Sequence, residues 1–332
     1  MNFKKQIFGF MDMLRFKKLV PTRRQMLAQG ENKPLPQEYR TNVLAKKLHP
    51  GYMQVELVAA RPLTETIREL TFKRVDSGAF PFFRAGQYVS LQMKIGDSVV
   101  SRPYSIVSTP QQALENKLVL AVENAGFVSE YLNKSAKVGD RFVMTEPSGE
   151  FHYETLRDSK DIICIAGGSG ITPFLSMAGS MADVDESYSM LLFYGARTAA
   201  QLAYKAELDA LAERCKGLKV VYVLSDEEQP GCEKGFVSAE LMKKYTDLTD
   251  HTFFLCGPPA MYAFIAKELE PLNLPQKAVH RDAACCRDLP VEKPGLFKLT
   301  VHMRDEVYII PAKENETLLT AMERAGLNAP NK

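Results

Sequence analysis

DIICIAGGSGITP, residues 161–173, is the stretch from which the fold of this chain can be read. Ile162 to Ala166 form an unbroken apolar run, as in a strand covered on both faces, and such strands belong to parallel sheets. The run stops at Gly167-Gly168-Ser169-Gly170, and Thr172-Pro173 then opens a helical pattern. Threonine suits the capping position and proline the first helical one. Glycines at such a turn let the backbone approach a pyrophosphate held against the positive end of a helix. The pattern is not the GxGxxG of ordinary dehydrogenases, and a tight strand-to-helix turn would also use glycine.

Toward the C-terminus the same alternation repeats. SMLLFYGA, KVVYVLSD and HTFFLCG read as buried strands; AAQLAYKAELDALAERC and PAMYAFIAKELEPL read as amphipathic helices. Strands alternating with helices predict a doubly wound α/β domain over residues 158–278. Ligands of such sheets bind beyond the carboxyl ends of the strands. There the sequence places Gly195 and Arg197, then Ser225 and Asp226, and finally Cys256-Gly257-Pro258-Pro259. Arg197 is suited to a ribose or phosphate. Cys256 either faces the crevice or is a buried structural thiol. Asp226 can accept from a ribose 2′-hydroxyl and repels a 2′-phosphate, whereas Arg197 attracts one. The balance favours NADH.

Toward the N-terminus the style changes. MQVELVAARPL, ETIRELTFKRV, YVSLQMKIG, SRPYSIVST, KLVLAVEN and DRFVMTEPSG are short alternating segments with turns between them. They predict an antiparallel barrel or sandwich over residues 51–157. Alternation sets Arg102 and Tyr104 on one side of their strand. An arginine fork suits a phosphate, a tyrosine ring offers a stacking face, and the Ser105 hydroxyl can donate or accept. Gly126-Phe127-Val128-Ser129 then opens a helical EYLNK, a second place for a pyrophosphate. Each tetrapeptide alone is also ordinary strand or loop chemistry; their order, and the domain that follows, give them weight.

The 332 residues carry a net charge of +2, with 45% hydrophobic residues. This is a globular composition, and it gives no support to nucleic-acid binding. Residues 1–50 are a basic, partly helical extension with eleven Lys/Arg against three Asp/Glu. Phe3, Ile7, Phe10 and Leu14 recur at helical spacing there, so the helix packs on its own protein or docks on a partner or an anionic membrane surface. The six cysteines, Cys285 and Cys286 adjacent among them, have neither disulfide-framework nor zinc spacing, which points to a reducing, cytoplasmic compartment. Residues 279–295, ending in VEKPG, read as a linker. FKLTVHM and EVYIIPA, separated by Arg304 and Asp305, and NETLLTAMERAGL then begin an α+β unit over 296–332 that stops at NAPNK. Two strands and a helix are too few to stand alone, so the natural chain is expected to continue past Lys332.

Taken in order, FRAGQYVSL (83–91), RPYS (102–105), GFVS (126–129), GGSGITP (167–173), YGAR (194–197) and CGPP (256–259) resemble the ferredoxin–NADP reductase superfamily across roughly residues 50–275. The resemblance implies an antiparallel flavin barrel, a nucleotide-binding α/β domain, and an FAD-dependent NAD(P)H oxidoreductase. It sets Arg102 and Pro103 at the flavin phosphate, Tyr104 on the isoalloxazine and Ser105 near N5. Gly126, Phe127, Val128 and Ser129 would line the FAD pyrophosphate. Thr172 and Cys256 would flank the nicotinamide, with Ser105 and Cys256 catalytic. Gly168, Gly170, Gly195, Arg197, Ser225, Asp226, Gly257 and Pro258 would hold the nucleotide. Residues 296–332, ETLLTAMERAGLNAP above all, resemble the opening of a plant-type 2Fe–2S ferredoxin of β-grasp type. A cluster is therefore implied only if the chain continues. The implied acceptor is a redox protein: the chain's own ferredoxin domain, an oxygenase or another reductase. The other readings are a flavohaemoglobin-like or free-flavin reductase module, and a non-catalytic electron-transfer subunit.

Overall fold

The computed structural model describes residues 3–29, 39–96, 98–184, 187–282, 295–303, 306–313, 316 and 318–327. Cys285, Cys286, the VEKPG linker apart from Gly295, Arg304, Asp305 and the final NAPNK lie outside them. The chain divides into two compact units, Met1–Lys47 and Leu48–Lys332. The first consists of helix α1 (Phe3–Gln29) and most of α2 (Arg40–Leu48). Helix α1 runs on through Pro21, well past the spacing that announced it, and Leu14, Phe16 and Leu19 on it are exposed.

The second unit begins with six antiparallel strands: β1 (Tyr52–Pro62), β2 (Ile67–Arg74), β3 (Tyr88–Ile95), β4 (Ser98–Ser105), β5 (Leu118–Glu123) and β6 (Arg141–Thr145). Their order is β4-β3-β6-β1-β2-β5. Met53, Val55 and Leu57 alternate inward from β1 to meet Phe72, Leu91, Leu120 and Met144 in one core. The β1–β2 register shifts between Leu57 and Ala59, a bulge that helps the sheet curl. A bridge between Ile106 and Leu120 draws the two edge strands together. Two short helices complete this half-barrel, α3 (Pro110–Leu114) and α4 (Phe127–Lys134).

The parallel sheet follows: β7 (Asp161–Gly167), β8 (Ser189–Ala196), β9 (Leu218–Leu224), β10 (Cys232–Lys234), β11 (Thr252–Cys256) and β12 (Val279–Arg281). It is wrapped by α5 (Thr172–Val184), α6 (Lys205–Arg214), α7 (Ala239–Lys243) and α8 (Pro259–Leu269). The strand order β10-β9-β8-β7-β11-β12 reverses direction between β7 and β11. That reversal opens the crevice in which ligands of such sheets bind.

Three local expectations are corrected. Thr172 is not the cap of α5: its backbone is already helical, winding having begun as a 3-10 turn at Gly168, and its hydroxyl donates to the Ser169 carbonyl at 3.1 Å. The helix expected from Ala199 to Cys215 is interrupted, because Tyr204 sits in the left-handed region (φ 59°) and α6 starts after it. Val279–Arg281, expected to open a linker, instead pairs with β11, Phe254 opposite His280.

The half-barrel and the parallel sheet share a hydrophobic core. Ile67, Val107, Val119 and Phe151 from the former pack in one cluster with Phe174, Met177, Tyr194 and Phe254 from the latter. Hydrogen bonds reinforce this, from Ser176 Oγ to the Ser108 carbonyl and from Thr109 Oγ1 to Asp183 Oδ2, both 2.8 Å. Near the C-terminus, β13 (Leu296–Met303), β14 (Glu306–Lys313) and α9 (Leu318–Arg324) form a hairpin and helix around Val301, Ile310, Ala312 and Ala321. Among the described residues, no helix is long and apolar enough to cross a membrane.

Candidate active site

The Arg102–Ser105 segment lies on edge strand β4. Register pairs Tyr104 with Val89 and Arg102 with Leu91, whereas Ser105 and Pro103 pair with Tyr88 and Ser90. Arg102 and Tyr104 thus share one face and Ser105 takes the other, as alternation requires. Tyr104 is half-buried against the barrel core, and that burial pushes its hydroxyl up to about 12. The Arg102 guanidinium is exposed, with Nη1 donating to the Ser101 carbonyl at 2.8 Å. Because the Ile106–Leu120 bridge runs antiparallel, stepping back from Ile106 to Arg102 leads toward the turn that follows β5. On that turn Gly126 precedes α4, and a Cβ built on Gly126 meets no protein atom within 4 Å.

These residues fit an FAD: an exposed guanidinium, an open glycine at a helix start, a ring face and a hydroxyl. Two members of GFVS play smaller parts than expected. Val128 is buried in the barrel core, leaving only its backbone for a ligand. Ser129 Oγ donates to the Gly126 carbonyl and accepts from the Ala125 amide, each at 2.9 Å, so its hydroxyl holds the turn together.

The nucleotide crevice is a cavity of about 540 Å³ lined by Gly168, Gly195, Arg197, Ser225 and Pro258, all expected there, and by Thr66, Glu123, Phe236, Met261 and Phe264. Gly168 adopts φ +55°, a conformation open to glycine. Gly170 does not line the cavity. It lies against the CGPP turn, where a Cβ would fall 2.1 Å from the Cys256 carbonyl oxygen and 2.8 Å from the Gly257 nitrogen. The two glycine turns on either side of the sheet's reversal are therefore packed backbone to backbone. Asp226 pairs with Arg197 (Nε to Oδ2, 2.8 Å) and accepts from Ser225 Oγ at 2.6 Å. The Ser225 hydroxyl and the Arg197 guanidinium hold the Asp226 carboxyl below its usual range. The opposite pulls on a 2′-phosphate thus meet in one ion pair.

Where the two domains face each other, the structure joins the expected residues through one that sequence reasoning missed. Ser105 Oγ donates to Asp282 Oδ2 at 3.0 Å, and Cys256 Sγ approaches the same oxygen at 3.5 Å. Asp282 and Cys256 are both buried. Asp282 directly follows β12, and its amide donates to the Leu255 carbonyl at 3.1 Å. Two further residues were missed. Glu123 at the end of β5 accepts from Ser169 Oγ at 2.6 Å, tying the barrel to the glycine loop. Phe236 is 69% exposed beside the crevice, with its ring 5.8 Å from that of Phe264.

Comparison with known proteins agrees with this geometry. Residues 54–153 match the oxidoreductase FAD-binding domain and residues 164–267 the oxidoreductase NAD-binding domain. Ferredoxin–NADP reductase B of Sorangium cellulosum is 30% identical over 236 residues, covering 68% of this chain and 95% of that protein. The chain belongs to the ferredoxin–NADP reductase family. This reductase is also 30% identical over 239 residues to the reductase component of propane 2-monooxygenase from Mycolicibacterium goodii, covering 70% of the chain and 67% of the relative. Phthalate dioxygenase reductase, described as modular for electron transfer from pyridine nucleotides to [2Fe–2S], superposes with a TM-score of 0.60 at 20% identity, covering 85% of this chain and 83% of that one. At that identity the likeness concerns the fold alone. The protein is an FAD-dependent NAD(P)H oxidoreductase of this family.

Proposed function

We infer that this reductase takes electrons from NADH and delivers them singly to a partner redox protein, an oxygenase component or an iron–sulfur centre. The observation that carries the reading is the Ser105–Asp282–Cys256 contact at the sheet's reversal, between the flavin strand and the nucleotide crevice. Bound FAD supplies the two-electron to one-electron conversion. The chain's own residues bind, orient and exclude water. Arg102 and the amides at the start of α4 would hold the pyrophosphate, and Tyr104 would support the ring. Because the Ser105 proton is directed at Asp282, the Ser105 oxygen is left to accept from a ligand N–H; moving that proton reverses the polarity. Cys256, buried behind the Gly-Pro-Pro turn, would pack against the nicotinamide and keep water from the transfer. The relatives named as oxygenase reductase components support a protein acceptor. NADH oxidation with ferricyanide tests the reading: turnover is expected, and a bound flavin that nucleotide never reduces would refute it.

Two substitutions test the binding assignments. Gly126→Ala meets no protein atom, so apoprotein stability should stay within about 0.5 kcal/mol of wild type while FAD affinity falls about tenfold or more. Titrating apoprotein with FAD and with FMN, beside a melting curve, checks this; equal loss for both flavins would argue against a pyrophosphate at that turn. Asp226→Ala releases Arg197 for a 2′-phosphate. The kcat/KM ratio of NADPH to NADH should rise about tenfold, mostly through KM. An unchanged ratio would place the adenosine ribose elsewhere.

A further inference from the structure

The contact between Ser105, Asp282 and Cys256 depends on where β12 holds Asp282, and β12 is only three residues long. What fixes so short an edge strand is visible on the same face of the sheet. β12 pairs with β11 in parallel, Phe254 opposite His280, and the next rung on that face sets Cys256 beside Asp282. The first rung is anchored. The Phe254 and His280 rings lie 4.6 Å apart, and His280 Nε2 meets Asp158 Oδ1 at 2.8 Å. The Asp158 side chain is fully buried, and its other partners come from the stretch joining the half-barrel to the parallel sheet. Arg157 reaches both of its oxygens, at 3.0 and 2.9 Å, and the Glu154 amide donates to Oδ2 at 2.8 Å. Despite burial, the hydrogen bonds from His280 and Arg157 hold the Asp158 carboxyl down at about 2.

We propose that Asp158 and His280 are positioning residues for hydride transfer: the hydrogen bond between them locks the Phe254–His280 rung and so sets Asp282 against Ser105 and Cys256. The proposal rests on reading those three residues as the transfer site. The geometry explains why a buried, charge-assisted pair stands at the junction of the two domains rather than on the surface. One side is set by the chain between the domains, the other by the strand that carries Asp282, so the junction and the site move as one body.

The test uses the full chain loaded with FAD. His280→Phe keeps the ring against Phe254 and leaves the Arg157–Asp158 pair; Asp158→Asn keeps the shape at Asp158. Two quantities are read: the limiting rate of flavin reduction, with the NADH dissociation constant, and the rate at which N-ethylmaleimide modifies Cys256 without nucleotide, followed by peptide mass spectrometry. Each variant should slow flavin reduction about tenfold at unchanged NADH affinity and speed Cys256 modification about tenfold, while Cys215 and Cys232 react as before. Neither variant should add a further change in an Asp282→Asn background, because both act through Asp282. Unchanged Cys256 reactivity in FAD-loaded His280→Phe protein, or effects that simply add to those of Asp282→Asn, would overturn the proposal. If Asp282→Asn alone alters neither quantity, the site reading itself falls, and the inference with it. Should Asp158→Asn fail to fold, His280→Phe decides alone.

Discussion

Replacing Gly170 with alanine should lower the rate of flavin reduction by about 100-fold or more while leaving FAD bound. The added methyl would lie 2.1 Å from the Cys256 carbonyl oxygen and 2.5 Å from its carbon, both backbone atoms that no side-chain rotation can move aside. Either the GGSG loop or the CGPP turn must shift by an ångström or more, and with it the crevice between β7 and β11. Overpacking of this kind also costs about 1–3 kcal/mol of stability. Flavin retention is expected because Arg102, Tyr104 and Gly126 all lie on the half-barrel, away from that turn. Stopped-flow reduction by NADH, together with the flavin-to-protein absorbance ratio, measures both halves of this expectation. A Gly170→Ala enzyme reduced at the normal rate would show that the two turns are not the nucleotide's floor.

The second large effect is expected at Asp282. Asp282→Ala removes the carboxylate that accepts from Ser105 and faces Cys256, so the serine hydroxyl loses its direction and the thiol its neighbour. Flavin reduction should slow by about 100-fold, within the range over which a misplaced proton-bearing group costs an enzyme rate. NADH affinity should change little, since the cavity lining is untouched. Ser105→Ala and Cys256→Ala should each lose part of this factor, and combining either with Asp282→Ala should cost less than the product of the separate losses. Strict multiplication of the losses would mean that the three residues do not act as a unit.

Much of the fold was legible because its signals are repeated. β7, β8 and β11 are continuous apolar runs each followed by a helical period, and β1, β3 and β6 alternate with turn residues between, whereas β5 is apolar and buried along the whole of LVLAV. The expected site residues are mostly strand-end positions, which the sheet's reversal brings together: Gly168, Gly195, Arg197, Ser225 and Pro258 do line one cavity. Asp282 was invisible for a physical reason. It follows a strand of three residues, too short for a period to register, and its partners are 177 and 26 positions away along the chain. Glu123 was missed because a carboxylate after a barrel strand reads as ordinary surface; only the packing of two domains reveals that it meets Ser169. The early break at Tyr204 was hidden as well, since tyrosine carries no signal for the left-handed region into which tertiary packing forces it.

The core shared by the half-barrel and the parallel sheet bears on how such a protein can be cut and recombined. A chimera that joined this flavin half to another nucleotide half at residue 158 would sever Phe151 from Phe174 and Phe254, whose rings meet at 5.7 and 5.4 Å. It would also bare Val107 and Val119 to water. Each half expressed alone would present a sticky apolar wall, prone to self-association. The smallest piece that can be exchanged between reductases is therefore the pair, carried across intact, and grafts aimed at a new electron acceptor belong outside residues 51–282.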